Sequence, residues 1–389
     1  MKEDKIVIKI NIPKKYEFKD NNNIQIDQVD VFNFPIVEDI DKNIFQKMDN
    51  STNSISNMEE TELVNYGRPW TSPKKAIDGG AEFIVQSYIN KGQYTSYLKK
   101  FNVNPNSSNE IYSHQYMDNL AAPSSEAKSS FKSYNANGLL EIPLHFVIPT
   151  YENMPSNTSL PGGDIDMSGK SDITDKEFEI QLNNQGFDEF YKKKLRALHE
   201  KYPNWTFENM ETGLDFYKTV YAEQQTSSIS GNKDYYYISD TGNYIETESG
   251  WYIANADTVS YYLDPRNFLN DDGILMFENL KYSSNYTENV VQKVLNGTFM
   301  EGNSILDNQS YASIFAESGK RRNINPVYLA SLAKQESGIN GSLATSGEIC
   351  TYNGQQYQQI FNFFNIGAYS NEESPIKAGI VWAADNENK

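Results

Sequence analysis

Cysteine is almost absent from the 389 residues, with Cys350 standing alone. An intrachain disulfide framework and a cysteine-built zinc cage are therefore excluded, and the fold must hold without covalent staples. Histidine is nearly as scarce. His114, His145 and His199 lie far apart, which gives no support to a His-based metal site or a Ser-His-Asp triad. No glycine-rich phosphate cradle occurs either, so neither a metal nor an organic cofactor is expected. Apolar runs of about 18 residues are missing, so no membrane-spanning helix is expected. The start, Met1 to Ile10, alternates charged and apolar residues like a strand and lacks the apolar centre of a signal peptide, so export is expected to use another route. Basic charge is in deficit: 34 Lys and Arg against 52 Asp and Glu give a net charge of -18. Such a field repels phosphate backbones and anionic lipid and argues against nucleic acid and membranes as partners.

Aromatic side chains are what the chain has in quantity. With 27 Tyr and 20 Phe in a sequence whose mean hydropathy is only -0.66, much aromatic surface must meet water or a ligand. Polar-aromatic surfaces suit sugars. With histidine and cysteine chemistry set aside, carboxylates and aromatics remain as candidate apparatus, the equipment of a glycosidase.

Along the chain, residues 1–40 read as a small lead-in with a strand near 6–12 and an apolar patch from Val29 to Val37. A solvated linker from Lys42 to Glu60 follows, placing a boundary near residue 60. Ser72 as N-cap and Pro73 in the first turn open a helix over 72–90. From Ala127 to about Asp175 the Ser-rich and Gly-Pro-rich composition predicts mostly loop. Glu177 to Lys201 is charged and amphipathic, Met210 to Tyr221 reads as helix, and a Ser/Gly/Tyr-rich insertion occupies 225–250. The last 140 residues or so predict helices at Ala256–Asp264, Glu288–Leu295, Ser310–Ser318, Asn325–Gly338 and Ile376–Ala384. Strand signals are sparse, and no solenoid repeat is present.

The helix from Asn325 to Gly338 has clear ends: Asn as N-cap, Pro just inside, Gly just past the last turn. Leu329, Leu332 and Ala333 form an inward stripe, and Glu336 continues it at the i+7, i+4 and i+3 spacing. Desolvation on that stripe and the negative end of the helix dipole both disfavour a bare carboxylate, which suits a proton donor. The plainer alternative is a glutamate paired with Lys334 or capping a neighbouring loop.

Asn325-Pro326-x-Tyr328-Leu329-Ala330, Gln335-Glu336-Ser337-Gly338, Ala344-Thr345-Ser346-Gly347 and the stretch from Tyr357 through Asn362-Phe363-Phe364-Asn365-Ile366-Gly367-Ala368-Tyr369 together resemble the glucosaminidase domain of clostridial and staphylococcal autolysins, glycoside hydrolase family 73. Tyr202 to Phe207 and Tyr261 to Leu269 resemble the helical lead-in of the clostridial members. A second block, Gly67-Arg68-Pro69-Trp70 through Ile77, Gly79-Gly80-Ala81-Glu82-Phe83-Ile84, Gly92-Gln93-x-Thr95-x-Tyr97 and His114-Gln115-Tyr116-Met117, also resembles that domain. In the usual family order it follows the Asn-Ile-Gly-Ala-Tyr segment, whereas here it precedes it.

The resemblance therefore implies a circular permutation, with the family's C-terminal part at 61–155, a linker at 156–179 and the family's N-terminal and catalytic parts at 180–389. Exchange of halves between chains is the competing arrangement. The fold class implied is mainly α (α+β): a lysozyme-like glucosaminidase domain with a small β lobe, assembled from the two halves. The activity implied is that of an endo-β-N-acetylglucosaminidase, which hydrolyses the β-1,4 bond between N-acetylglucosamine and N-acetylmuramic acid in peptidoglycan. Glu336 takes the place of the catalytic acid, with Tyr116 beside it. Tyr369 is expected to line the cleft, Asn365 and Gln93 to position backbone or N-acetyl groups unless they are satisfied buried amides, and Tyr357 to belong to the substrate-binding stretch. Glu348 is a candidate second carboxylate, with Glu372 and Glu373 near it. The expected location is the cell wall or the outside of the cell. Residues 1–60 are candidates for docking to a virion or tail protein, as in a phage-borne lysin. The rival from another class is an inactive peptidoglycan-binding or virion structural module.

Overall fold

Ser72 and Pro73 begin the first helix as their chemistry requires. In the computed structural model, which describes residues 65–164, 171–172, 175–368 and 374–385, helix α1 runs Pro73–Ser87 and the Ser72 side chain accepts from the Lys75 amide. The lead-in, its strand near 6–12, the linker to residue 60 and the candidate virion-docking segment lie outside the described residues. Short α2, Ser96–Lys100, is capped by Thr95. Helix α3 covers Ala122–Ala136, and strand β1 covers His145–Glu152. Helices α4, Lys176–Asn184, and α5, Glu189–Lys201, each start on an aspartate whose carboxylate accepts from the first turn, Asp175 and Asp188 respectively.

Strand β2, Thr206–Asp215, pairs parallel with β1 from His145 against Thr206 to Thr150 against Glu211. Helix α6 follows at Phe216–Gln224. The insertion is a small antiparallel sheet of β3, Ser228–Ile229, β4, Glu246–Glu248, and β5, Trp251–Ile253, in the order β3-β5-β4. Then come α7, Ala256–Leu263, α8, Glu288–Leu295, α9, Tyr311–Arg322, and α10, Pro326–Ser337. Short α11, Leu343–Ser346, leads into the hairpin of β6, Cys350–Tyr352, and β7, Gln355–Tyr357, and α12 covers Pro375–Ala384. The architecture is mixed helix and sheet, and no helix among the described residues is long and apolar enough to cross a membrane.

Two stretches differ from expectation. The predicted loop from Ala127 onward holds most of α3 and all of β1. The Ser-rich helix buries only Pro123, Ala127 and Tyr134, too few positions for a periodic signal, and Pro149 interrupts the apolar run Phe146-Val147-Ile148 that forms β1. Met210 to Asp215, expected as the start of a helix, is the end of β2; Thr212 and Gly213 disfavour helix, and Asp215 caps α6 only from Phe216.

The described residues form one compact unit, in which the early block packs against the late one. The Trp70 amide donates to the Ala383 carbonyl at 2.9 Å, and the Phe361 amide donates to the Trp70 carbonyl at 2.9 Å. Asp78 on α1 pairs with Arg321 and Arg322 of α9 at 2.6 and 2.7 Å. Gly80 allows the closest approach: a Cβ there would fall 2.2 Å from the Phe364 ring. The loop that follows Phe364 is thereby held against α1.

Glu278 anchors this core from inside. Only 4% exposed, its carboxylate accepts from the Tyr286 hydroxyl at 2.8 Å, the Asn325 side-chain amide at 3.0 Å and the Tyr134 hydroxyl at 3.1 Å. Desolvation pushes its pKa up to about 7, against the lowering effect of those three donors. Because the folded value lies above the usual 4.5, the folded state binds the proton more tightly. Stability from this group is full below the unfolded pKa and is lost as pH rises through about 7, on the order of 3 kcal/mol in total. Glu278→Gln keeps an acceptor for Tyr286 and Asn325 and cannot ionise. Urea denaturation between pH 5 and 8 is expected to show the wild type losing stability relative to the Gln variant as pH rises; parallel curves would contradict this account of Glu278.

Candidate active site

Helix α10 is fixed first at its start. Asn325, fully buried, accepts the amides of Val327 and Tyr328 on its side-chain oxygen and donates to Glu278, and its own amide donates to the Leu280 carbonyl at 2.8 Å. From that anchor the helix carries Tyr328, Leu332 and Glu336 to the wall of a cavity of about 260 Å³. Glu336 is half-buried rather than buried, because the inward stripe meets this cavity in its last turn. Lys334 does not hold it: the ammonium reaches the Val294 carbonyl at 3.5 Å.

The partner of Glu336 is Asn365. Its Nδ2 donates to the Glu336 backbone carbonyl at 2.9 Å and to the carboxylate Oε2 at 3.1 Å. Asn365 does this from a left-handed backbone conformation, φ 50°, which asparagine tolerates better than most residues. Buried Asn362 shapes the loop beneath it, donating to the carbonyls of Ile366 at 2.8 Å and Gly379 at 2.9 Å and accepting the Ile366 amide at 3.2 Å.

Tyr116 lines the same cavity, presented by a loop that three buried or half-buried amides hold. Gln93 is fully buried and donates to the carbonyls of Leu98 and His114, while its oxygen faces His114 Nδ1 at 3.1 Å. It is a satisfied buried amide that ties the Leu98 carbonyl to the His114 turn. Asn102 donates to the carbonyls of Glu110 and Ser113, and Gln115 bridges Lys100 and Glu223. Beneath Tyr116 lies Lys99, 3% exposed, whose ammonium donates to the Tyr328 hydroxyl at 2.8 Å and sits 4.9 Å from the Tyr116 ring and 5.0 Å from the Tyr328 ring. Burial acts to lower the Lys99 pKa, but Tyr328 and Glu126 outweigh it and hold the ammonium well above the ordinary lysine range. Tyr116 is 44% exposed overall, yet desolvation of its phenol pushes it up to about 12, so it stays protonated at neutral pH.

The other expected site residues fall elsewhere. Tyr357 is half-buried on β7 against the core, and Glu348 is exposed just before the β6–β7 hairpin. Tyr369, Glu372 and Glu373 lie outside the described residues. Sequence reading missed Lys99, Glu126 and Tyr88. Tyr88 stands 5.5 Å from Tyr116 in an edge contact, and its place on the apolar face of the first helix was the available signal. A larger cavity of about 750 Å³ is lined by residues of α3, α5 and the turn at 267–273. Its two aspartates are paired with cations, Asp271 with Lys201 at 2.8 Å and Asp272 with Lys128 at 2.9 Å.

No protein-family model matches the chain, and no solved structure matches it. Curated sequences do. The protein named Beta-N-acetylglucosaminidase from Bacillus subtilis (strain 168) is 32% identical over 146 residues, which is 38% of this chain and 15% of that protein. The Bifunctional autolysin of Staphylococcus epidermidis is 38% identical over 84 residues, 21% of this chain and 6% of the other. The chain thus spans a small part of the length of these relatives. Over a portion of its own length it is related in sequence to proteins that carry glucosaminidase and autolysin names.

Proposed function

We propose that this protein is a peptidoglycan hydrolase that cuts glycan strands as an endo-β-N-acetylglucosaminidase, with Glu336 protonating the oxygen that leaves between N-acetylglucosamine and N-acetylmuramic acid. The observation that carries the reading is the Glu336 carboxylate, held by Asn365 Nδ2 at 3.1 Å on the wall of an aromatic-lined cavity. A fixed acid beside Tyr88, Tyr116 and Tyr328 offers sugar faces to stack on and a proton at a defined place. The relatives' names and the quoted family motifs support the same chemistry. The order of the two blocks along the chain is, on this reading, that of a circular permutant.

Digestion of purified peptidoglycan, followed by borohydride reduction and mass spectrometry, is expected to release fragments ending in reduced N-acetylglucosamine. Glu336→Gln keeps the shape and removes the proton, so turnover should fall by roughly 10²–10⁴-fold while thermal unfolding stays near the wild type. Wild-type protein that pellets with several wall types and releases nothing from any of them would instead identify a glycan-binding module.

Asn365→Ala removes both contacts to Glu336 and leaves the acid in place. The expected result is a kcat about 10–100-fold lower with KM within a few-fold, since the loss is of positioning rather than of binding. Unchanged kcat in a folded variant would show that Glu336 needs no such support.

A further inference from the structure

Beside the cavity that holds Glu336 lies a second, smaller one of about 50 Å³. The two share four walls: Lys99, Tyr116, Tyr328 and Leu332 line both. What the smaller one adds is two carboxylates: Glu278, whose oxygens already accept from Tyr134, Tyr286 and Asn325, and Glu126, which lines it from α3 along with Ser130. Glu126 is half-buried, and its carboxyl group feels both Lys99 and Glu336. Burial lifts its pKa, Lys99 draws it back, Glu336 lifts it again and a hydrogen bond from Ser96 lowers it. The cavity also has an unfilled bonding position: Ser331 Oγ on its wall is buried and finds no partner. A space of this size accommodates one or two waters, and Ser331, Ser130, Ser96 and Glu126 are among its polar walls.

We propose that Glu126 is the second carboxylate of the active site, the base that activates the attacking water, and that the small cavity against Tyr116 and Ser331 holds that water. The inference rests on Glu336 being the acid of a glucosaminidase. In the step, Glu126 takes a proton from the water and the oxygen forms its bond to the anomeric carbon of N-acetylglucosamine. The bond to the leaving oxygen of N-acetylmuramic acid breaks and that oxygen receives the Glu336 proton. One water is consumed, no redox partner is needed, and a proton exchanged with solvent resets both acids. A single displacement of this kind inverts the anomeric centre. Lys99, fixed between the two cavities, keeps a positive charge beside the base.

The test uses the full chain and a soluble, defined peptidoglycan oligosaccharide. Proton NMR of the first turnover products of the wild type is expected to show the α-anomer. Glu126→Gln should lower kcat about 10²–10³-fold with KM within a few-fold, and Glu126→Ala should regain activity in azide with formation of the α-glycosyl azide. A first product of β configuration, or a Gln variant within a few-fold of wild-type kcat, overturns the assignment. Loss of activity in Glu336→Gln alongside normal activity in Glu126→Gln removes Glu126 and leaves the acid standing, whereas a wild type that cleaves no glycan removes the glucosaminidase reading itself. Should either Glu126 variant fail to fold, Glu126→Asp takes its place with the same expected loss of kcat, and a wild-type product of β configuration still overturns the assignment.

Discussion

The site depends on one helix held at both ends by asparagine. At the start of α10, buried Asn325 accepts two amides of the first turn and donates to Glu278. At its end, Asn365 donates to the carbonyl and the carboxylate of Glu336. A side-chain cap of this kind contributes about 1 kcal/mol. Its larger effect here is geometric, because a helix fixed at two points cannot slide or rotate, and the carboxylate in its last turn stays where it is aimed. Glu278 extends the constraint inward, tying the N-cap to Tyr134 of α3 and to Tyr286.

The opposite wall of the cleft comes from residues more than 200 positions earlier in the chain, so the site exists only when the two blocks pack. Asn362 and Gly80 make that packing possible at one place: the asparagine folds the loop that carries Phe364 and Asn365, and the missing Cβ of Gly80 admits the Phe364 ring. Tyr116 is presented from a loop that Gln93 and Asn102 hold from beneath. The amide-rich composition of this chain is therefore informative. Asparagine and glutamine replace regular secondary structure where the backbone must turn inside the core, because each buried carbonyl and amide still needs a partner.

Helix ends were legible in the sequence because their chemistry is local. Ser72, Asn325 and Gly338 act through neighbours within three or four residues, and the helices they bound appear where the spacing places them. The parallel pair β1 and β2 was not legible, since the pairing joins residues about 60 apart and neither strand alternates cleanly. Glu336 could be found from its place on a stripe, and Asn365 from the motif that carries it, although the choice between ligand contact and buried amide required the structure. Gln93 is buried with both ends of its amide hydrogen-bonded. Lys99 and Glu126 left no trace: a lysine beside another lysine, and a glutamate in a serine-rich stretch, read as surface. Their meaning arises only when α2, α3 and α10 meet.

Lys99 shows why such a residue belongs there. In a chain with a net charge of -18, a cleft with two carboxylates would add to the repulsion among acids unless a cation stood near. A buried ammonium is costly to desolvate. The cost is offset by the Tyr328 hydroxyl at 2.8 Å and by the faces of Tyr116 and Tyr328, contacts worth roughly 0.5–2 kcal/mol for each ring. The same rings line the cavity where a sugar would stack. One lysine thus offsets the charge of the acids and orders the aromatic surface.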